Sequence, residues 1–269
     1  MSRLGILGTG LIGASIGMRA RRDGVYVLGC DAQEQIANEA RELGALDECA
    51  SRDDLYARCS TIVIAAPLEA TCAELTALRG RKTSWDLLLD VASVKGPVAQ
   101  AARGVGSFVG THPLAGNQGS GPAAATGDLF EERSWAYVPS GNRDLDERAS
   151  DFIRRMGAQP FACDAERHDR IVAATSHLPQ LLAWLLAKRM REVDDQYERY
   201  CGPAAREVLR LSQSPASLWD EIMRANALPV QAEASALTRA LASACERLVS
   251  DEKRADEGVR ARTRARPRE

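Results

Sequence analysis

The sequence predicts an α/β fold in which a doubly wound, mostly parallel sheet is followed by an all-helical part. Two observations support this prediction. Short apolar runs alternate with helical stretches through the first 165 residues, which is the pattern of βαβ units. After about Ala165 the strand pattern stops, and apolar residues recur at helical spacing.

The strands are predicted from apolar runs that end in small or polar residues. They are Leu4–Leu7, Val25–Cys30, Thr61–Ala66, Leu87–Val91, Phe108–Gly110, Trp135–Val138 and Pro160–Cys163. Ile12 and Ile16 continue in helical spacing after the first strand, and Gln35–Leu43 is a second predicted helix, closed by Gly44.

The helical part is predicted from about residue 166 to 250. Its last stretch carries one apolar stripe, formed by Leu237, Leu241, Ala244 and Leu248. Such a stripe is either core or a subunit interface, and the pattern alone does not separate the two. Residues 251–269 are charged and nearly devoid of large apolar side chains, so a disordered tail is expected there.

Composition excludes several classes of function. A net charge of −2 and a pI near 6.0 argue against nucleic-acid or anionic-membrane partners, because those require a concentrated basic surface. The seven cysteines are scattered without a Cys-x-x-Cys pair, so no metal centre is predicted and a reducing cytoplasm is expected. We find no signal-peptide core and no run of ~18 apolar residues, so neither export nor a membrane span is expected.

A glycine-rich turn follows the first strand and opens the first helix. Its residues are Gly8, Thr9, Gly10, Leu11, Ile12 and Gly13. In this context the first glycine permits the tight turn, the second leaves room for a pyrophosphate, and the third lets the helix pack close to the strand. The turn therefore predicts a Rossmann-like dinucleotide site within residues 1–165.

The second strand ends in Asp31, whose carboxylate would accept hydrogen bonds from the adenosine ribose hydroxyls. A 2′-phosphate would be repelled there and no arginine follows at once, so the cofactor predicted is NAD rather than NADP. The alternative is that Asp31 merely begins a turn. Ala66 and Pro67, at the end of the third strand, are candidate neighbours of the nicotinamide ribose, although small residues at a strand end also serve packing.

One of three histidines in the chain, His112, lies in the run Thr111–Gly116, where the fifth strand should reach the edge of the cofactor crevice. An imidazole titrates near neutrality and accepts a proton from a substrate hydroxyl without a metal. Ser93 and Lys95 follow the fourth strand at the same edge. Considered alone, each of these side chains has a structural explanation.

In the helical part, His177 is the better site candidate, and His168 is expected to be a solvated or helix-start residue. Nine residues separate the two, which is half a turn out of phase on a continuous α-helix, so they are not expected to face one site. Arg206 and Arg210 share a helix face, a spacing suited to gripping a carboxylate or to a solvated stripe.

Taken together, the motifs resemble those of the prephenate and arogenate dehydrogenases of tyrosine biosynthesis, the TyrA family. The resemblance runs from Leu4 to about Ile222. It comprises Gly8-x-Gly10-x-x-Gly13, Asp90-x-x-Ser93-Val94-Lys95, Thr111-His112-Pro113-Leu114-Ala115-Gly116, Ser176-His177-Leu178-Pro179, and Arg206-x-x-x-Arg210 before Ser214-Pro215-x-x-Leu218-Trp219-x-x-Ile222.

The resemblance implies a nucleotide domain joined to a helical domain that forms a homodimer and binds substrate, with the active site between them. It implies that His112 is the catalytic base, Ser93 its hydrogen-bonding neighbour, and Arg210 the residue that holds a substrate carboxylate. The implied reaction is oxidative decarboxylation of prephenate to 4-hydroxyphenylpyruvate with NAD+, without a metal.

The chain departs from the commonest family pattern at Gln180, where many prephenate-preferring members have a second histidine. Ala205 and Leu209 also replace a usual aromatic residue and a threonine. Gln180 would contact the side chain that differs between prephenate and arogenate, so an arogenate or dual-specificity cyclohexadienyl dehydrogenase stays open. A β-hydroxyacid dehydrogenase would need a lysine near Ser176–Gln180, and none is present there. A non-catalytic NAD-sensing dimer is the more distant alternative.

Overall fold

Six parallel strands form the main sheet of the computed structural model, which describes residues 3–117 and 119–264. The strands are β1 (Arg3–Leu7), β2 (Tyr26–Cys30), β3 (Glu48–Cys49), β4 (Thr61–Ile64), β5 (Leu87–Asp90) and β6 (Phe108–Val109). Their order is β3-β2-β1-β4-β5-β6, the doubly wound arrangement in which ligands bind beyond the carboxyl ends of the strands where the order reverses. The predicted fold class is confirmed.

Helices cover both faces of this sheet. They are α1 (Leu11–Arg22), α2 (Glu34–Glu42), α3 (Arg52–Arg58), α4 (Leu68–Ala77), α5 (Gly96–Ala101) and α6 (Arg143–Arg155). Alternate strand residues enter opposite cores, because successive side chains of a strand point to opposite faces. Val63 of β4 packs with α1, α2 and α6, whereas Ile62 and Ile64 pack with α3, α4 and α5.

A second, three-stranded sheet contains β7 (Thr111–Pro113), β8 (Ser134–Tyr137) and β9 (Gln159–Ala162). This corrects the single, mostly parallel sheet expected from the alternating pattern: β8 and β9 are the last two predicted strands, and β7 runs antiparallel to β8. The chain leaves the main sheet at Gly110, between β6 and β7. Trp135 of β8 is fully buried against Phe130 and Phe152, so both sheets share one core.

From residue 165 the chain is helical, as predicted. The elements are α7 (Ala165–Val172), a π-helical turn (Ala173–His177), α8 (Leu178–Val193), α9 (Pro203–Ser212), α10 (Ala216–Ala225) and α11 (Ala227–Arg264). The chain passes from β9 to α7 within Cys163 and Asp164, and Asp164 caps α7 by accepting from the Arg167 N–H at 2.8 Å.

Helix α11 continues through Arg264, which corrects the expectation of a disordered tail from residue 251. The segment lacks large apolar side chains, but it is rich in Ala, Arg, Lys and Glu, which are strong helix formers. The rest of the predicted tail, 265–269, lies outside the described residues. Within the described part of the chain, no helix combines the length and apolar character needed to cross a membrane.

Candidate active site

The glycine-rich turn has the close approaches that its sequence predicts. Gly8 has a φ of +94°, and a Cβ there would lie 2.5 Å from the carbonyl oxygen of Ala65. A Cβ on Gly13 would lie 2.0 Å from the Gly8 carbonyl oxygen, which fixes α1 against the turn. Gly10 has nothing within 4 Å of its would-be Cβ. Open space at the N-terminus of α1 fits a pyrophosphate, so the residues present suit a dinucleotide.

Asp31 lies beside this turn. Its Oδ2 accepts from the Thr9 backbone N–H at 2.8 Å, and its Oδ1 accepts from the Gln33 N–H at 3.0 Å. Leu11 and Ile12 begin α1 directly behind the turn. The predicted nucleotide residues of β1, α1 and β2 are therefore brought together, while Ala66 and Pro67 follow β4 and precede α4 on the neighbouring strand.

A buried ion pair positions the strand that carries His112. Lys95 is 1% exposed, and its Nζ donates to Asp90 Oδ2 at 2.5 Å and to the Thr111 carbonyl oxygen at 2.6 Å. The Thr111 N–H donates to Asp90 Oδ1 at 3.0 Å, and the Trp135 indole N–H donates to Thr111 Oγ1 at 2.9 Å. Thr111 is thus fixed on every side, and His112 follows it.

His168 lies at the fourth position of α7 and is buried beside His112, so of the two expected alternatives, solvated or helix-start, the solvated one is wrong. It is 3% exposed, and its Nε2 lies 2.9 Å from His112 Nδ1. Its Nδ1 lies 2.8 Å from Asp169 Oδ1. Asp169 also accepts from the backbone N–H groups of Lys95 and Gly96, at 2.7 Å each. His112 therefore contacts the helical half of the chain through His168.

The structure also brings His177 toward this group, contrary to the phase argument. The π-helical turn at 173–177 adds a residue to the ladder, which changes the phase by about 100° relative to a continuous α-helix. The Asn226 side-chain N–H groups donate to His177 Nδ1 at 3.0 Å and to the Asp169 carbonyl oxygen at 2.7 Å. We use the name histidine cluster for His112, His168, Asp169, His177 and Asn226.

The surroundings of His112 and His177 favour the neutral form of these two imidazoles. Desolvation, together with the charges of His168, Lys95 and His177, lowers the pKa of His112 well below its ordinary 6.5. Burial likewise lowers the pKa of His177 to about 4. His112 is thus unprotonated at neutral pH and able to accept a proton. In the described ranges, no group of three or more His, Cys, Asp or Glu side chains is arranged to hold a metal ion.

Other predicted site residues lie apart from the histidine cluster. Ser93 is half-buried in the loop between β5 and α5, and no hydrogen bond joins it to His112 among the described residues. Arg210 is exposed and paired with Glu207, and Arg206 donates to the Cys201 carbonyl oxygen at 3.1 Å.

Gln180 is 3% exposed, and its amide donates to the Leu211 carbonyl oxygen at 2.9 Å, tying α8 to the end of α9. His177 is 1% exposed. The roles assigned to these two residues in substrate binding, like that of Arg210, stay predictions. Sequence reasoning missed His168, Asp169 and Asn226 as members of the site. The adjacent pair His168-Asp169, directly after the Asp164 cap, was the available signal.

A Rossmann-type glycine-rich turn in a doubly wound sheet, with a histidine that contacts a following helical domain, is the arrangement of a two-domain dehydrogenase. Two family profiles match the chain. One, described as prephenate dehydrogenase, nucleotide-binding domain, covers residues 16–160, and the other, prephenate dehydrogenase, dimerization domain, covers residues 164–260. The chain belongs to the prephenate dehydrogenase family, as its motifs predict.

Curated relatives and solved structures agree with this membership. The probable prephenate dehydrogenase NovF of Streptomyces niveus is 36% identical over 252 residues, covering 90% of this chain and 68% of the relative. The prephenate dehydrogenase of Bacillus subtilis is 30% identical over 237 residues, covering 82% and 63%. The chain therefore spans about two thirds of the length of these relatives. The crystal structure of Aquifex aeolicus prephenate dehydrogenase with hydroxyphenyl propionate and NAD+ superposes with a TM-score of 0.85 at 21% identity, covering 98% of this chain and 97% of that one.

Proposed function

We propose that the chain is a prephenate dehydrogenase, which converts prephenate into 4-hydroxyphenylpyruvate and carbon dioxide with NAD+, in tyrosine biosynthesis. The observation that carries this proposal is His112: an imidazole held neutral at the junction of a dinucleotide fold and a helical domain. Family membership supports the substrate class, because both family profiles carry the name prephenate dehydrogenase.

The chain's own residues account for cofactor choice. NAD+ bound at the glycine-rich turn supplies the hydride acceptor. The N-terminus of α1 and the open space at Gly10 receive the pyrophosphate, and the Asp31 carboxylate takes the ribose hydroxyls. A 2′-phosphate at Asp31 would bring two negative charges together, which favours NAD over NADP. Ala66 and Pro67 would line the nicotinamide side of the site.

His112 performs the proton chemistry. Prephenate has a hydroxyl on C4 and a carboxylate on the quaternary C1 of its cyclohexadiene ring. His112 accepts the hydroxyl proton while the hydride leaves C4. The ketone that develops at C4 is conjugated to C1, so it receives the electrons released when the bond from C1 to the carboxylate breaks. Loss of carbon dioxide makes the ring aromatic and drives the reaction forward. By the family resemblance, Ser93 is the hydrogen-bonding neighbour of His112 during the reaction.

Arg210 holds a substrate carboxylate. Arg206 on the same helix face, His177 and Gln180 are the other residues that we propose to bind the substrate. Arg210 forms an ion pair with Glu207 in this structure. When the substrate binds, its carboxylate replaces Glu207 as the partner of Arg210. Gln180 keeps a second candidate substrate, arogenate, open, because the family resemblance places a histidine at this position in many prephenate-preferring members.

The assembly we propose is a homodimer formed through the helical domain. The second family profile is named for dimerization, and Leu237, Leu241 and Leu248 of α11 are 38%, 63% and 71% exposed along one stripe. A stripe of exposed leucines is typical of a subunit interface. All seven cysteines are free thiols, which fits the reducing cytoplasm as the compartment.

The test is NADH formation by the purified chain with prephenate or arogenate as substrate, each with NAD+ or NADP+. We expect the highest kcat/KM with prephenate and NAD+, and NADP+ turnover at least about tenfold slower. Preference for arogenate would move the assignment to the second candidate. Cofactor binding without turnover of either substrate would reject dehydrogenase activity in favour of an NAD-sensing dimer.

A further inference from the structure

We propose that His168 and Asp169 are positioning residues that fix the tautomer of His112, and that this arrangement forms only when the helical domain is docked on α5. Its consequence for the reaction rests on the proposed function. The tautomer itself follows from the hydrogen bonds of the chain.

The direction of every bond is set by Asp169. Its Oδ1 meets the backbone N–H of Lys95 and the Nδ1 of His168, and its Oδ2 meets the backbone N–H of Gly96. Backbone N–H groups only donate, and an ionised carboxylate only accepts. His168 therefore carries its hydrogen on Nδ1.

The hydrogen on His168 Nδ1 determines which nitrogen of His112 carries a hydrogen. A neutral imidazole has one N–H, so Nε2 of His168 is a bare acceptor. It lies 2.9 Å from His112 Nδ1, which must donate. His112 therefore donates its only N–H hydrogen to His168, and its own Nε2 carries no hydrogen. A bare Nε2 is what a general base needs to accept a hydroxyl proton.

The bonds connect two parts of the chain. His112, Lys95 and Gly96 belong to the nucleotide domain, whereas His168 and Asp169 belong to α7 of the helical domain. Asn226, in the turn between α10 and α11, donates to the Asp169 carbonyl oxygen at 2.7 Å. If the helical domain moves away from α5, His168 leaves His112 and the tautomer is no longer fixed.

Asp169 also stabilises the charge that His112 acquires. After proton uptake, the His112 imidazolium donates from Nδ1 to His168, whose own N–H points at the carboxylate. This favourable interaction offsets the unfavourable effect of two neighbours on the positive charge of His112. The Lys95 ammonium, paired with Asp90, lies on the nucleotide side, and His177 lies on the helical side.

The first test is Asp169→Ala, which removes the acceptor of the His168 Nδ1 hydrogen. Neither imidazole then has a fixed tautomer, so His112 Nε2 carries the hydrogen in part of the molecules and cannot accept a proton in them. We expect kcat to fall about tenfold or more with KM for prephenate nearly unchanged. Glu166→Ala, which removes an exposed carboxylate from the same helix, is the matched control and should keep the wild-type kcat.

A second pair of variants separates positioning from folding. In His168→Gln a side-chain carbonyl can still accept from His112 Nδ1, whereas His168→Leu offers no acceptor. The Gln variant should keep a kcat about tenfold above that of the Leu variant, with equal thermal unfolding midpoints. Equal kcat values for the two variants would overturn the positioning role.

The deciding readout needs no turnover. Nitrogen-15 NMR of the three imidazoles should show His112 protonated at Nδ1 in the wild-type protein and divided between Nδ1 and Nε2 in Asp169→Ala. Wild-type His112 protonated at Nε2, or an Asp169→Ala variant with wild-type kcat, would overturn the proposal. Failure of the proposed function looks different: the NMR pattern stays as described, while neither prephenate nor arogenate is oxidised.

Discussion

The carboxylate of Asp169 accepts a hydrogen bond from the backbone N–H of Lys95 at 2.7 Å, and this contact joins the helical domain to the first turn of α5. Lys95 reaches in the opposite direction with its ammonium, to Asp90 and the Thr111 carbonyl oxygen. One residue therefore links the docking of the helical domain to the strand that carries His112. Loss of either link should disturb the base.

Lys95 is the residue whose removal should cost most stability. Lys95→Met leaves the buried Asp90 carboxylate without its cation, because Asp90 is fully buried. We expect a loss of about 3–5 kcal/mol in the free energy of unfolding, measured by urea titration. Lys82→Met, at an exposed lysine, should change it by no more than about 0.5 kcal/mol. Equal effects of the two substitutions would contradict the importance of the buried pair.

Stability should also depend on pH through His177. Its pKa is about 4 in the folded chain and about 6.5 when unfolded, so the unfolded state takes up the proton first as pH falls. This contribution is fully present above pH ~6.5 and declines toward pH ~4, by on the order of 3 kcal/mol. His177→Asn keeps an acceptor for Asn226 and does not titrate. Urea titrations across this range should show a shallower decline in the variant; an unchanged slope would contradict the assignment.

Arg210 should matter for binding rather than for chemistry. Arg210→Ala removes a charge-assisted contact made in both the ground state and the transition state, so KM for prephenate should rise about 10- to 100-fold while kcat changes little. Steady-state kinetics measure both. Glu207→Gln, which frees Arg210 from its ion pair, should lower KM or leave it unchanged. A fall in kcat with unaltered KM in Arg210→Ala would place this arginine in the chemical step instead.

The exposed stripe of α11 should hold two chains together. Leu241→Arg places a charge on a side chain that is 63% exposed in one chain and that the dimer would cover. Light scattering should show a mass of twice 29.1 kDa for the wild-type protein and a shift toward 29.1 kDa for the variant. Arg239→Glu, on the opposite face of α11, should stay dimeric. A wild-type monomer would contradict the interface.

The sequence predicts the nucleotide half of the site well because its signals are local. Gly8 and Gly13 are required by close approaches of the backbone around the turn, and Asp31 directly follows the end of a strand. The pairing of strands is harder to predict from the sequence, because periodicity identifies a strand but does not indicate which strand lies beside it. The turn at Gly110 therefore went unrecognised as the place where β7 leaves the main sheet.

The helical half of the site was harder to predict because its geometry depends on a departure from the ideal helix. The phase argument that separated His168 from His177 assumes 3.6 residues per turn, and the π-helical turn at 173–177 breaks that assumption. Asn226 lies in the turn between α10 and α11, more than 50 positions further along the chain than Asp169. Its contact with Asp169 is tertiary and leaves no local pattern in the sequence.

The most direct test of the central claim compares NADH formation from prephenate and NAD+ by the wild-type chain and by His112→Asn. The asparagine side chain retains a polar group near the position of Nδ1 but has no basic nitrogen. If His112 is the general base, the wild-type chain turns over prephenate and kcat of the variant falls ~10²–10⁴-fold, with cofactor affinity unchanged. Near-wild-type kcat in His112→Asn would contradict the account.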